Sequence, residues 1–360
     1  MLLCLMLAPA PSAALEIYVS PDGKDSDPGT IEQPVLSLHE ALDRVAEARK
    51  ADRKAQHKVF LRGGLYRLDP RVDLTEAVSG RVGVPFIISA YKNETPILSG
   101  GFEVSSLAKG EEGILTADLR GLMPEGTSVE LVYAGDERLI KARYPNIDPL
   151  DPVRSAWSFT LEPDAETTSL DPHRTVRIEE GILSRYERPT EGEISIFPSH
   201  QWWNNVVPIA ELDAETSTVY LTEDCSYPVG GGDRFFLQGM REDLDAPGEW
   251  YFDRELETLL YQEVSSPTSS LTVVRLDELL RFHPRTVEVV VRGITFEHSA
   301  KTAVQIRSSM NCRLEKCTFR QICLYDGSGV IIAGGTNNGI IGCDLRDTGS
   351  HGILLSGGDL

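Results

Sequence analysis

The sequence predicts an all-β chain whose C-terminal part, residues 286–360, is an incomplete right-handed parallel β-helix. One strand recurs as VVVRGITFEH, NCRLEKCTFRQ and NGIIGCDLRD, so that Ile294, Cys317 and Cys343 align at steps of 23 and 26 residues. A second strand recurs with the same two steps as AVQIRSS, GVIIAGG and GILLSGG. A period in this range corresponds to one solenoid turn per repeat.

Stacking of such coils predicts which side chains form the core. Parallel strands of successive coils lie about 4.8 Å apart, so aligned inward residues form columns. Ile294, Cys317 and Cys343 are expected to form one column, and Phe296, Phe319 and Leu345 a second. We expect Asn311 and Asn338, which open equivalent segments, to form a ladder in a turn.

The last predicted strand follows at 352–356, and it would expose an unpaired edge if the stack ended there. We therefore expect the natural product to be longer or this chain to be a fragment. By itself the 360-residue chain is expected to be inactive and poorly soluble.

Three further regions are predicted ahead of the coils. Residues 1–14 resemble a secretory signal peptide, although no basic residue precedes Lys24. Residues 15–101 contain short strands and one helix, which begins at an S-x-x-E capping box formed by Ser37 and Glu40. Because solenoids need atypical terminal units, this helix is expected to cap the stack. Residues 102–285 show no repeat and contain all four tryptophans, which favours an inserted β-rich sandwich or irregular barrel.

Composition restricts the partners and the compartment. The net charge of −20 disfavours a nucleic-acid partner, since an acidic surface repels phosphates. The signal-like start predicts a secreted or periplasmic protein, and no apolar run is long enough to span a membrane. The six cysteines show neither a disulfide framework nor a zinc spacing, so we expect buried thiols and no cofactor or metal.

Several segments then resemble a known family. YVSPDGKDSDPGT, followed by the capped helix, resembles the N-terminus of many secreted β-helix enzymes that act on polysaccharides. LIKARYPN, LDAPGEWYFDRELETLLY, VVVRGITFEHS and CDLRDTGSHGILLSGGD are similar to the right-handed β-helix proteins of glycoside hydrolase family 141, a solenoid of the pectate-lyase type. The resemblance covers nearly the whole chain. It implies secreted hydrolysis of fucose- or xylose-containing plant polysaccharides, with the catalytic carboxylates on coils beyond the GGD segment.

Glycoside hydrolysis requires two carboxyl groups beside the scissile bond. The final coils offer Asp344, Asp347 and Asp359, with His351 beside them, as candidate catalytic residues. An alternative role for Asp347 and Asp359 is to cap turns next to glycine.

A polysaccharide or oligosaccharide substrate also needs binding residues. Trp202 and Trp203 are candidates for stacking on sugar rings, although tryptophan is often a core residue. Arg143 and Tyr144 are candidates for contacts at the rim of a site, with a structural role as the alternative.

Two other functional classes stay open. A polysaccharide lyase would use the same scaffold with Ca²⁺ and a basic residue, and the final coils carry Arg313, Arg320 and Arg346 but no acidic cluster of the calcium type. A non-catalytic glycan-binding or adhesin β-helix is the other class, because β-helices host many functions.

Overall fold

The computed structural model describes residues 14–110, 113–123, 127–148, 150–151, 154–164, 169–264 and 269–357. The chain divides into two compact units. Unit 1 comprises residues 1–102 and 274–360, and unit 2 comprises residues 103–273. Of the predicted signal peptide, only Ala14 lies within the described residues.

The first part of unit 1 contains one helix and six short strands. In chain order these are β1 (Glu16–Val19), α1 (Leu38–Ala51), β2 (Lys58–Leu61), β3 (Gly64–Arg67), β4 (Val72–Leu74), β5 (Phe86–Ala90) and β6 (Pro96–Ser99), with a 3₁₀ turn at Glu76–Val78 between β4 and β5.

Unit 2 follows and is rich in short strands. They are β7 (Gly101–Val104), β8 (Ala108–Lys109), β9 (Ile114–Asp118), β10 (Val132–Ala134), β11 (Glu137–Arg138), β12 (Ile140–Lys141), β13 (Arg143–Tyr144), β14 (Ser158–Phe159), β15 (Thr175–Arg177), β16 (Glu193–Phe197), β17 (Asn205–Asp213), β18 (Thr218–Leu221), β19 (Arg234–Gln238), β20 (Glu249–Asp253), β21 (Thr258–Gln262) and β22 (Leu271–Val274). Short 3₁₀ helices lie at Leu183–Arg185, Pro189–Glu191 and Arg241–Asp243.

The chain then returns to unit 1 with ten more strands. These are β23 (Glu278–Phe282), β24 (Val289–Arg292), β25 (Thr295–Ser299), β26 (Thr302–Arg307), β27 (Arg313–Glu315), β28 (Thr318–Ile322), β29 (Ser328–Ala333), β30 (Gly339–Ile341), β31 (Asp344–Leu345) and β32 (His351–Ser356).

Unit 1 is a parallel β-helix with three sheets. Sheet A has the order β1-β2-β5-β24-β27-β30, sheet B has β3-β6-β25-β28-β31, and sheet C has β4-β23-β26-β29-β32. Each coil therefore contributes one strand to each sheet in turn, as in β24, β25 and β26. Unit 2 is inserted between β6 on sheet B and β23 on sheet C, within a single coil.

The predicted columns exist. On sheet B, Phe296 pairs in register with Phe319 and Phe319 with Leu345, and the two phenylalanine rings stack at 5.1 Å with an angle of 6° between their planes. The amide of Asp344 donates to the Cys317 carbonyl, which places Cys343 directly on Cys317. The strand register thus carries the hydrophobic core from coil to coil.

The predicted asparagine ladder exists but is one residue out of place. Because Arg313 pairs with Gly339, Asn311 is equivalent to Asn337 and not to Asn338. Asn337 Nδ2 donates to Asn311 Oδ1 at 2.7 Å, and Asn311 Nδ2 donates to Glu288 Oε1 at 2.7 Å. All three residues of this ladder have positive φ, between 53° and 55°, which asparagine tolerates better than most residues.

Helix α1 begins where the capping box predicts. The Ser37 hydroxyl accepts a hydrogen bond from the Glu40 amide at 3.1 Å, and Asp25 in turn accepts from the Ser37 hydroxyl at 3.0 Å. The apolar stripe of α1, including Leu38, Ala41 and Val45, is buried in the same core as the strands of unit 1. The helix therefore packs on the apolar interior of the stack, as expected of a cap.

Unit 2 contains two larger sheets. One has the order β12-β20-β21-β9-β8, and the other has β13-β19-β16-β17-β18-β15 with β14 beside β19.

The C-terminal boundary of unit 2 lies earlier than the expected Arg285. Strand β23 (Glu278–Phe282) pairs in parallel with β4 and β26, so these residues already belong to sheet C. The sequence repeat did not reveal β23, because this strand is short and lies ahead of the first recognisable repeat.

In the described residues no helix is both long enough and apolar enough to cross a bilayer.

Candidate functional site

The last described coil holds the predicted catalytic residues at defined positions. Asp344 opens β31 and pairs with Thr318, in the outward row of sheet B that also contains Thr295. Asp347 lies in the turn that follows, and His351 opens β32 on sheet C, where it pairs with Ser328. All three predicted residues are exposed, so a polymeric substrate could reach them. Asp359 lies outside the described residues.

The three side chains are not joined into one network. Asp347 faces Arg346 at 3.8 Å, and His351 Nδ1 lies 2.9 Å from its neighbour Ser350 Oγ. The Asp344 carboxylate forms no hydrogen bond or ion pair with any residue that the structure describes, although the Asp344 amide donates to the Cys317 carbonyl. Most carboxylates on the earlier coils are paired, as Glu315 is with Arg292 and Asp277 with Lys301.

Sheet B also carries a buried charge cluster that the sequence reasoning missed. Arg320 Nη2 lies 2.7 Å from Glu297 Oε2 across two coils, and Glu297 is 5% exposed. His298 Nδ1 lies 2.9 Å from Ser99 Oγ. The GITFEHS and CTFRQ segments contain these residues in aligned positions, so their alignment could have revealed the pair.

The aligned residues at the corner after sheet B share a backbone conformation. His298, Gln321 and Asp347 occupy equivalent positions in three successive coils, with φ of 58°, 57° and 52°. Left-handed φ is uncommon for residues other than glycine, and it turns the chain sharply at this corner. Asp347 therefore lies in this turn, and its carboxylate is exposed.

Unit 2 carries an exposed group of aromatic side chains, the aromatic platform, formed by His200, Trp202, Trp203 and Tyr227. Trp202 is 78% exposed and Trp203 63% exposed, so neither is a core residue. The His200 ring lies 5.1 Å from the Trp202 ring and 5.5 Å from the Tyr227 ring. The segment joins β16 to β17, with Ser199 and Gln201 both at positive φ.

Hydrogen bonds hold this platform in place. Asn205 Nδ2 donates to the Trp203 carbonyl at 3.1 Å and to Ser226 Oγ at 3.1 Å, and the Ser226 amide donates to Asn205 Oδ1 at 2.8 Å. The loop carrying the tryptophans is thereby tied to the loop carrying Tyr227. Such fixed, solvent-facing rings can stack on the C–H face of a sugar.

Arg143 and Tyr144 differ from this platform. Arg143 is buried, and its guanidinium donates to the carbonyls of Pro145 and Ala156 and lies over the Phe236 ring at 3.6 Å. These contacts hold the Arg143 guanidinium inside unit 2. Tyr144 is half-buried, with the Arg185 guanidinium 4.3 Å from its ring centre.

In two carboxyl groups of unit 2, burial raises the pKa well above its ordinary value. Burial raises the pKa of Asp243 to about 7, although Arg185 opposes the shift. Burial also raises the pKa of Glu249 to about 7, and this carboxyl accepts hydrogen bonds from the amides of Ala246 and Asp245. Both residues are at most 2% exposed, so a substrate in solvent cannot touch them. We assign them to the internal structure of unit 2.

The cysteines are consistent with buried thiols. Cys225, Cys312, Cys317 and Cys323 are free and buried, and Cys343 is half-buried. Within the described ranges, no group of three or more His, Cys, Asp or Glu side chains is placed to hold a metal ion.

The family described as "Right handed beta helix region" matches residues 283–359, which span β24 to β32 and begin just after β23. The chain is a right-handed parallel β-helix protein. This confirms the predicted fold class, together with the parallel sheets of unit 1.

Two relatives link this β-helix protein to carbohydrate-active proteins. It is 37% identical over 94 residues to pectate lyase PEL9 of Emericella nidulans, an alignment that covers 26% of this chain and 20% of the relative. A solved structure named "Glycoside hydrolase" superposes with a TM-score of 0.74 at 16% identity, covering 92% of this chain and 65% of that one. The resemblance to carbohydrate-active β-helix proteins is therefore confirmed.

A third match, "The complex structure of XylC with xylose", covers 95% of this chain and 56% of that one at 13% identity, with a TM-score of 0.43. This chain thus spans less than two thirds of each of these three proteins.

Proposed function

We propose that this β-helix protein belongs to a secreted or periplasmic glycoside hydrolase that cleaves fucose- or xylose-containing plant polysaccharide. The observation that carries the proposal is Asp344, an exposed carboxylate without a cationic partner among the described residues, on coils where Glu315 and Asp277 are paired with Arg292 and Lys301. A paired carboxylate is held by its cation, whereas an unpaired one is available to a substrate.

The chemistry needs one carboxyl group to protonate the leaving oxygen and one ionised carboxylate to act as nucleophile or base. Asp344 lies on β31 of sheet B and Asp347 in the turn that follows it on the same coil, and both are exposed. A short turn that follows a paired strand holds the two groups near each other on the scaffold.

The aromatic platform supports recognition of a neutral polysaccharide. The apolar face of a tryptophan ring can stack on the C–H face of a sugar ring, and this contact does not need a charge on the ligand. Trp202 and Trp203 are the most exposed aromatic side chains of the described chain, so they can engage a polymer without rearrangement.

The test is turnover on soluble xylan, fucosylated pectin and polygalacturonate, with reducing ends and unsaturated uronates measured separately. Asp344→Asn is expected to lower hydrolysis by roughly a hundredfold or more, in line with removal of a catalytic acid or base. Asp326→Asn, an exchange on an exposed loop of the same unit, is the matched control. Unchanged hydrolysis in both Asp344→Asn and Asp347→Asn would refute the roles assigned to these residues.

A polysaccharide lyase is the second candidate, because the relative in Emericella nidulans is named a pectate lyase. A lyase would release unsaturated uronates from polygalacturonate and would leave xylan intact. Binding to these polymers without any turnover would instead indicate a glycan-binding module.

A further inference from the structure

Unit 1 contains a cleft of about 630 Å³ away from the last coil. Its walls come from the end of α1, the 3₁₀ turn and loop at 76–82, and the turn that leads into β24. Ligand clefts in proteins have volumes of about 300–1,000 Å³, so this one is large enough for a small oligomer.

The charges of this cleft oppose those of the whole chain. Of the residues that the structure describes, five cationic side chains and a single carboxylate, Glu76, line it; the cations are Arg49, Lys50, Arg53, Arg81 and Arg285. The chain as a whole carries a formal charge of −20. A local concentration of cations in an acidic protein draws anions to one place on its surface.

Most of these cations are not neutralised by the protein. Lys50 pairs with Glu47 at 2.5 Å, and Arg285 lies 3.7 Å from Glu76, where both side chains are well exposed. Arg49, Arg53 and Arg81 have no carboxylate partner among the described residues. Arg81 only donates from Nε to the Lys54 carbonyl at 3.4 Å.

The position of these residues shows that helix capping does not explain the cluster. Basic residues in the last turn of a helix complement its dipole, which accounts for Arg49 and Lys50. Arg81 and Arg285 lie far away in sequence and reach the cleft only because β5 and β24 pair in neighbouring coils. Burial lowers the pKa of Arg49, and the neighbouring Arg53 adds to this, so the cations repel one another.

The cleft also presents apolar surface. Val82 is 75% exposed at its mouth, and Ala46, Ala77 and Val287 contribute to the walls. Cations beside small apolar side chains suit a ligand that combines carboxylates with C–H faces. A sugar acid has both, whereas a bare inorganic anion uses only the charges.

We propose that this cleft is a second glycan-binding site, which takes a short uronate-bearing oligosaccharide through Arg49, Arg53 and Arg81. The guanidiniums bind the sugar carboxylates, and Val82 contacts a ring face. The site is separate from the carboxylates of the last coil. A preference of the cleft for uronates is in keeping with a plant polysaccharide substrate. Binding of a uronate in the cleft does not depend on hydrolysis of that substrate at the last coil.

Calorimetric titration of the whole chain with trigalacturonate tests the proposal, with xylotriose and inorganic sulfate as comparison ligands. Arg53→Gln with Arg81→Gln is expected to weaken trigalacturonate binding by roughly tenfold or more, since charge-assisted hydrogen bonds are lost. Arg307→Gln, an exposed arginine on sheet C of the same unit, is the matched control and is expected to change nothing.

Glu76→Gln provides a test that misfolding cannot imitate. Removing the one carboxylate among the described residues that line the cleft is expected to strengthen trigalacturonate binding several-fold and to steepen its salt dependence. Equal affinity for xylotriose would overturn the proposal, as would an affinity for sulfate that matches trigalacturonate. Unaltered binding in both the double variant and Glu76→Gln would overturn it too. If the protein binds trigalacturonate but hydrolyses none of the tested polysaccharides, only the proposed hydrolase activity is refuted.

Discussion

Glu249 provides the sharpest prediction about stability and pH. Its carboxyl is buried in unit 2, and the described residues give it two backbone amide donors but no cationic partner. Replacing it with Glu249→Gln keeps an oxygen that can accept from both amides and removes the ionisable group. The change therefore isolates the cost of burying a negative charge at this position.

Burial raises the pKa of Glu249 from its ordinary value of 4.5 to about 7 in the folded protein. Between these two values the unfolded chain has lost the proton while the folded chain retains it, so the unfolded state binds fewer protons. The contribution of Glu249 to the free energy of unfolding therefore falls as the pH rises from about 4.5 to about 7 and is constant above that. A difference of two to three pH units corresponds to about 3 kcal/mol.

All four tryptophans lie in unit 2, so intrinsic fluorescence follows the unfolding of this unit selectively. Urea denaturation measures the free energy of unfolding of both proteins at pH 5 and pH 8. We expect the stability of Glu249→Gln relative to wild type to be higher at pH 8 than at pH 5 by about 3 kcal/mol. Glu211→Gln, at an exposed position of β17, is the control. Parallel pH profiles for wild type and Glu249→Gln would show that the buried carboxyl is already ionised at pH 5 and would refute the reasoning.

Three predictions concern unit 1 and are measured by far-ultraviolet circular dichroism during thermal unfolding. Ser37→Ala removes the N-cap of α1 and is expected to cost about 1 kcal/mol, whereas Ser37→Thr, which keeps a hydroxyl that can donate to Asp25, should restore most of it. Phe319→Ala empties a position that is fully buried against Phe296 and is expected to cost about 3–5 kcal/mol, with Phe319→Leu costing clearly less. Gly327→Ala would place a Cβ 2.0 Å from the Lys301 carbonyl oxygen at a φ of 147°, so we expect a loss of several kcal/mol or no folded product. A Gly327→Ala protein with wild-type stability would contradict the described turn.

The sequence specifies the core of the coils because stacking imposes one rule on every repeat. Phe296, Phe319 and Leu345 could be aligned because an inward residue must lie over an inward residue. The same rule does not fix the turns, whose lengths differ by coil. This is why the ladder partner of Asn311 was misplaced by one residue, at Asn338 and not Asn337.

The candidate sites were less accessible to sequence reasoning. Trp202 and Trp203 lie in SHQWWNN, a run of polar residues without the alternation of a buried strand, and this composition was a usable signal for exposure. Arg143 gave no such signal, because its burial depends on carbonyls and a ring from other segments. The cationic cleft joins residues more than 200 positions apart in sequence, and only the pairing of β5 with β24 brings them together.

The corner between sheets B and C shows how this fold separates stability from chemistry. By strand register, Gly100 occupies the position of His298, Gln321 and Asp347 in the later coils. At Gly100 the chain leaves for the inserted unit, and at Asp347 the same corner presents an exposed carboxylate. The flanking strands keep their columns in every coil, so the core tolerates glycine, histidine, glutamine, aspartate or a whole inserted unit at this point. A corner that can change without disturbing the core is where a solenoid can acquire function, since binding and catalytic residues concentrate on turns held by a rigid scaffold.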